Sequence, residues 1–156
     1  MFVHHTQFTE KAIEEAEKGG SQGNIAVGSV VVKNGSIIGV GRNLVSASDD
    51  PTAHAEIVAL RDASLNVKSA ELSGCTLYTT FEPCPMCCGA IMTSGITTVV
   101  MGARHNPRES RWGPYSIEKL LDMANWRDKI EIVTGILPKK CADVRHKWEK
   151  INGDTI

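Results

Sequence analysis

The tripeptide His54-Ala55-Glu56, followed after 26 residues by Pro83-Cys84-Pro85-Met86-Cys87, constrains this chain more than any other feature. One imidazole and two thiolates suit a tetrahedral Zn²⁺, and three protein ligands leave its fourth position open, as in a catalytic rather than a closed structural site. Glu56 lies two residues from the imidazole and is not needed as a ligand. An unligated carboxylate beside an activated water is the general acid/base that zinc-assisted hydrolysis requires. The fold must therefore bring two distant segments to one point, and the pattern predicts a hydrolytic enzyme.

The local spacing supports this. Cys84 and Cys87 are three residues apart, so both reach one ion from a single helical turn. The positive end of that helix and the metal both favour thiolate over thiol. Glu56 is roughly 200° around a helix from His54, which keeps it off the metal but within reach of water and substrate. A Cys-x-x-Cys pair alone is shared by structural zinc sites and redox motifs. Structural zinc would want a second pair, and Cys75 and Cys141 are single and distant; a redox pair leaves His54 and Glu56 unexplained. Cys88 points about 100° away from its neighbour and reads as a packed thiol.

Composition narrows the class. At 156 residues, 42% hydrophobic and 22% charged, residues 1–156 read as one globular domain with a substantial core. No apolar run approaches the roughly 20 residues of a membrane span, and the N-terminal residues lack a secretory pattern, so a cytoplasmic protein without a membrane partner is expected. Seventeen basic residues face 18 acidic ones, for a net charge of −1. Proteins that grip a phosphate backbone usually carry a basic surplus. Five cysteines without an export signal favour metal binding over disulfides.

Apolar spacing predicts a helix over 7–18, stopped by Gly19-Gly20. Two β-branched runs, 25–33 and 36–40, joined by Asn34-Gly35, predict an antiparallel hairpin. Helices are expected over 52–65, 83–94 and 115–124 and after Pro138, and strands over 76–80, 97–101 and 129–133. Alternating strands and helices give an α/β fold, a three-layer α/β/α sandwich around a five-stranded mixed sheet. Trp126 and Trp148 read as core or interface residues, and Met86 packs near the site without chemistry.

His-Ala-Glu with Pro-Cys-x-x-Cys resembles the signature of the zinc-dependent nucleobase and nucleoside deaminases. The segments 50–57, 77–84, 88–91 and 100–104 are similar to the branch that holds tRNA adenosine deaminases, guanine deaminases and fungal-type cytosine deaminases. A histidine at 54 disfavours the cytidine deaminases, and the short Cys84–Cys87 interval disfavours the riboflavin-pathway enzymes. The resemblance implies one zinc per chain on His54, Cys84 and Cys87. It implies that Glu56 takes a proton from the attacking water and relays it to the ring nitrogen and the departing ammonia. It also implies substrate contacts from the Ala55 backbone and from Asn43, whose other reading is a turn residue, and a pocket floor at Val27-Gly28. A homodimer is usual in the branch.

Three departures from the tRNA adenosine deaminase pattern bear on substrate: Ala26 where that subgroup has proline, a bulky aromatic loop over 105–115, and a C-terminal helix whose lysines and arginines are offset by acids. Trp112 could cover a flat base and His105 could hydrogen-bond it, in a loop that closes over a small ligand. The expectation is therefore a deaminase of a free base or small aminated heterocycle, with tRNA not favoured. Deamination of adenosine in tRNA and a non-catalytic zinc-binding subunit are the alternatives; the intact Glu56 argues against the last.

Overall fold

The computed structural model describes residues 2–153. Eleven elements follow one another: α1 (Phe2–Ser21), β1 (Gly28–Lys33), β2 (Ser36–Arg42), α2 (Val45–Ser48), α3 (Ala55–Val67), β3 (Thr76–Phe81), α4 (Pro85–Ser94), β4 (Thr98–Ala103), α5 (Ile117–Met123), β5 (Glu131–Val133) and α6 (Pro138–Asn152). The sheet has five strands in the order β2-β1-β3-β4-β5. β1 is antiparallel to both β2 and β3, whereas β3, β4 and β5 run parallel. The sheet is therefore mixed, as expected, and its α/β architecture is the expected one.

The layers follow from the period-two alternation of the strands. Val30, Val32, Tyr78 and Val100 face Phe8 of α1, and the same side carries Cys141 of α6 against Ala103. Val31, Leu77, Val99 and Met101 face the opposite side, where Leu60 of α3, Ile91 of α4 and Leu121 of α5 complete the larger core. The hairpin closes through Asn34 and Gly35 at φ 49° and 77°, the two positive values that a primed turn needs.

Two differences from the sequence reading have local causes. The first helix does not stop at Gly19-Gly20 but continues to Ser21. A side chain at Gly20 would come within 3.2 Å of the Ala26 Cβ, so that glycine serves close packing and not termination. The polar loop before Pro51 contains the short α2, because Asn43 Oδ1 accepts from the Val45 N–H and Asn24 Oδ1 from the Ala47 N–H.

β2 sets the position of α3. Gly39 and Gly41 share the face that meets Ala55, Ala59 and Ala63, and a Cβ at Gly39 would lie 2.6 Å from the Ala59 carbonyl and the Ala63 nitrogen. Strand and helix backbones thus touch directly, and the start of α3 is fixed at the carboxyl end of β3.

Candidate active site

His54 is the residue that precedes α3, with extended backbone, and Cys84 holds the same place before α4. Two helix N-termini, with their unpaired N–H groups and positive ends, therefore converge on one point outside the carboxyl edge of the parallel strands. Neither residue caps its helix with a side-chain hydrogen bond, so both side chains are left for each other. The His54 Nδ1 lies 3.6 Å from the Cys84 sulfur and 3.6 Å from the Cys87 sulfur. All three donor atoms fall within 4.8 Å of one another.

These distances test the fit of the metal. Zinc bonds of about 2.3 Å to sulfur and about 2.0–2.1 Å to nitrogen, at tetrahedral angles, hold N and S about 3.5 Å apart. The set present meets that value on both sulfurs and, among the described residues, includes no fourth donor. All five cysteines are free thiols, which leaves the pair available to a metal. The hydrogen bonds from Cys87 and His54 hold the Cys84 thiol down to about 4, and the same pairing with burial pushes Cys87 far up. The bond to Cys84 raises His54 in turn.

Glu56 sits beside this cluster, 3% exposed, with its proton affinity raised chiefly by burial. Its Oε1 accepts from the Thr79 hydroxyl at 2.9 Å, and Thr79 accepts in turn from Ser29 at 3.0 Å. Ser29 and Thr79 are directly opposite in the β1–β3 register, and both are fully buried. A buried carboxyl with a raised pKa, held from behind by a hydroxyl chain, can take up a proton and return it.

A cavity of about 560 Å³ opens in front of the cluster. Val27, Asn43, Ala55, Glu56, His105 and Trp112 all line it, together with His54 and Cys84, while Cys87 is buried behind them. Asn43 is a turn residue that also lines the cavity. Its Oδ1 closes the turn at Val45, and its amide nitrogen keeps no partner among the described residues. The His105 ring packs edge-on against Phe81 at 4.9 Å, burial lowers its pKa, and its Nε2 is buried without a hydrogen-bond partner. Cys88 is fully buried, its thiol pushed up to about 11 by desolvation, in keeping with a packing role. Met86 is half-buried in the first turn of α4, and Trp148 is buried as expected.

Some residues of the site escape a reading of the sequence. Ser29 and Thr79 look like ordinary strand residues, and only their pairing shows that they reach Glu56. Glu82, 3% exposed, accepts from Arg104 Nε and a terminal Arg104 nitrogen (3.2 Å each), from the His105 N–H (3.1 Å) and from the Ile117 N–H (2.9 Å), and so ties down both ends of the 105–116 loop. Arg145, His146 and Lys150 bring α6 to the cavity wall.

A three-donor cluster that would hold zinc, a buried carboxyl at its side and a cavity in front together define a zinc hydrolase. This chain belongs to the family described as the cytidine and deoxycytidylate deaminase zinc-binding region, whose model matches residues 3–103. It is a zinc-binding member of the hydrolases acting on C–N bonds. A "tRNA-specific adenosine deaminase" of Buchnera aphidicola is 36% identical over 89% of this chain and 89% of its own length. A structure from studies of A-to-I editing by tRNA:A34 deaminases superposes with a TM-score of 0.80 at 30% identity, covering 89% of this chain and 99% of the other. The protein NE0047, in complex with 2,6-diaminopurine, has a TM-score of 0.84 at 26% identity over 97% of this chain and 85% of its own.

These relatives correct one expectation. The bulky loop and the balanced charge suggest a free-base or small-heterocycle deaminase, with tRNA not favoured. The Buchnera protein and others from Bacillus subtilis, Haemophilus influenzae and Streptococcus pyogenes, 34–38% identical over 86–89% of this chain, all bear the tRNA-specific name. The physical reason is that net charge averages over the surface, whereas the cavity brings together Arg111 and Lys150, which have no carboxylate partner among the described residues, from segments far apart in the chain. Among the described residues no helix is long and apolar enough to cross a membrane.

Proposed function

We propose that this protein deaminates adenosine to inosine in tRNA. One observation carries the reading: the buried Glu56 beside the His54–Cys84–Cys87 cluster, in a chain 36% identical over 89% of its length to a tRNA-specific adenosine deaminase. His54, Cys84 and Cys87 would hold the zinc, which when bound supplies the Lewis acidity that makes water nucleophilic near neutral pH. Glu56 takes a proton from water as its oxygen attacks C6 of the adenine ring. It delivers that proton to the ring nitrogen; the second water proton follows to the amino group, and the C6–N bond breaks to release ammonia. Burial favours the protonated carboxyl, which suits a group that must hold a proton between these two transfers. Thr79 fixes the carboxyl from behind. The Asn43 amide nitrogen donates to an acceptor on the purine, the free N–H of Ala55 at the start of α3 orients the reacting oxygen, and Val27 and His105 bound the base.

The test is deamination of an RNA stem-loop with one loop adenosine, read as inosine by mass spectrometry, beside ammonia release from cytosine, guanine and adenine. Inosine in the RNA without ammonia from the free bases is the expected result. Turnover of a free base with the RNA left intact would overturn the proposal.

A further inference from the structure

The lining of the cavity divides by burial. Asn43, Ala55 and Glu56 are buried and form its inner part; the 104–116 loop and α6, with exposed Arg111 and Lys150 and half-buried Trp112, form its mouth. A free base carries no phosphate and uses only the inner part. A polynucleotide must also place the residues next to the reacting one, and the mouth is where they pass.

The loop at the mouth is built as a fixed platform. Glu82 holds its two ends. The Asn106 carbonyl accepts from the N–H groups of Glu109 and Ser110, and the Asn106 side chain from the Arg108 N–H. Ser110 Oγ accepts from the Trp112 N–H at 3.1 Å, and the Tyr115 hydroxyl donates to the Pro83 carbonyl at 2.6 Å, next to Cys84. An aromatic residue on so ordered a turn gives up little conformational freedom on binding. Trp112 is half-buried, with the Arg111 guanidinium carbon 4.7 Å from its ring centroid.

The charges of the mouth divide in the same way. Arg104 is paired with Glu82 and Glu118, and Arg145 with Glu149. Arg111 and Lys150 have no carboxylate partner among the described residues and outnumber Glu109, an unpaired acid lining the same cavity. An indole with the Arg111 guanidinium over its ring, in a cavity that also carries Lys150, is an arrangement suited to single-stranded nucleic acid, bases on aromatic faces and phosphates on lysine and arginine.

Resting on the RNA reading above, we propose that Trp112 is the stacking platform for the nucleotide adjacent to the deaminated adenosine, with Arg111 and Lys150 meeting the phosphates around it. Trp112 thus acts as a specificity-determining residue on a fixed rim, not as a lid over a small ligand.

The experiment pairs protein and RNA changes. Native protein, Trp112→Ala and Trp112→Phe, matched for zinc content and sedimentation, are assayed on the stem-loop and on versions with an abasic residue 5′ or 3′ to the target adenosine. On intact RNA, Trp112→Ala raises KM roughly 10- to 100-fold, the range of one base–aromatic stack, with the loss in KM rather than kcat, and Trp112→Phe recovers part of it. One abasic position costs the native protein a similar factor and costs Trp112→Ala little, because the stack is already gone. Equal sensitivity of native and Trp112→Ala proteins to both abasic positions would overturn the proposal, as would a fall in kcat with KM unmoved, or a change of oligomeric state in Trp112→Ala. A native protein that leaves the intact RNA untouched overturns the tRNA reading itself and this inference with it, a failure distinct from the others.

Discussion

Thr79→Val isolates the hydroxyl chain behind Glu56. Valine keeps the shape of threonine and removes the donor that lies 2.9 Å from the Glu56 carboxylate. Burial raises the Glu56 pKa and the Thr79 contact opposes that rise, so losing it lifts the pKa further. A hydrogen bond to a charged group contributes roughly 1.5–3 kcal/mol. At about 1.4 kcal/mol per factor of ten, kcat falls about 10- to 100-fold. The sign of the pH effect follows: the ionised base becomes harder to form, so the acidic limb of the kcat profile moves to higher pH, by about one unit for 1.4 kcal/mol. Stability falls as well, because the Ser29 hydroxyl loses its acceptor at a cost of about 1–3 kcal/mol. Ser29→Ala with Thr79→Val removes that orphan, so the double variant regains most of the stability and none of the turnover. Steady-state kinetics on the RNA stem-loop from pH 5 to 9, with urea melts of all three proteins, measure both effects. A kcat for Thr79→Val within twofold of native and an unmoved limb would refute the assignment. Recovery of kcat in the double variant would show that the loss came from stability alone.

Glu56→Gln keeps one zinc per chain and loses turnover by at least about 10³-fold, checked by metal analysis and kinetics together; an active variant contradicts the proton relay. His54→Ala and Cys87→Ala lose the metal, and with it the stabilisation of about 2.7 kcal/mol that a ligand at 100 times its Kd contributes; chelator lowers the Tm of the native protein and leaves theirs unmoved. Glu82→Ala costs about 3 kcal/mol, since two backbone N–H groups lose their acceptor while Arg104 keeps Glu118; amide exchange over 104–117 then rises before the rest of the molecule opens. Salt weakens RNA binding with a log–log slope of about −1 to −2, because each phosphate neutralised on a single strand contributes about −0.7 and two cations at the mouth are unpaired; a slope near zero would show that the rim does not meet phosphate.

The ligand pattern was legible because its chemistry is local: Cys84 and Cys87 share a turn, and His54 and Glu56 share another. The hairpin was legible from Asn34-Gly35, and the α/β order from the alternation of β-branched runs with amphipathic ones. What escaped depends on pairing. Ser29 and Thr79 meet because β1 lies beside β3, a register that neither segment specifies alone. Glu82 gathers donors from residues 104, 105 and 117, and its place before Pro83 gives no sign of that. Gly39 and Gly41 read as weak strand positions until α3 is laid across them.

The substrate was misjudged for a related reason. A balance of 17 basic and 18 acidic residues describes the whole surface, but a bound phosphate meets only the cations that no carboxylate has already taken. Arg145 and Glu149 cancel along one face of α6, and Arg104 is spent on holding the loop. That leaves Arg111 and Lys150, 39 residues apart in sequence and lining one cavity in space. The bulky loop then changes its meaning as well. Over a free base Trp112 would have to close as a lid, which a polymer passing through the mouth forbids. Anchored by Glu82, Asn106, Ser110 and Tyr115, the same indole is a fixed surface, and under the proposed RNA reading the feature that first argued against a polynucleotide is the one that would hold it.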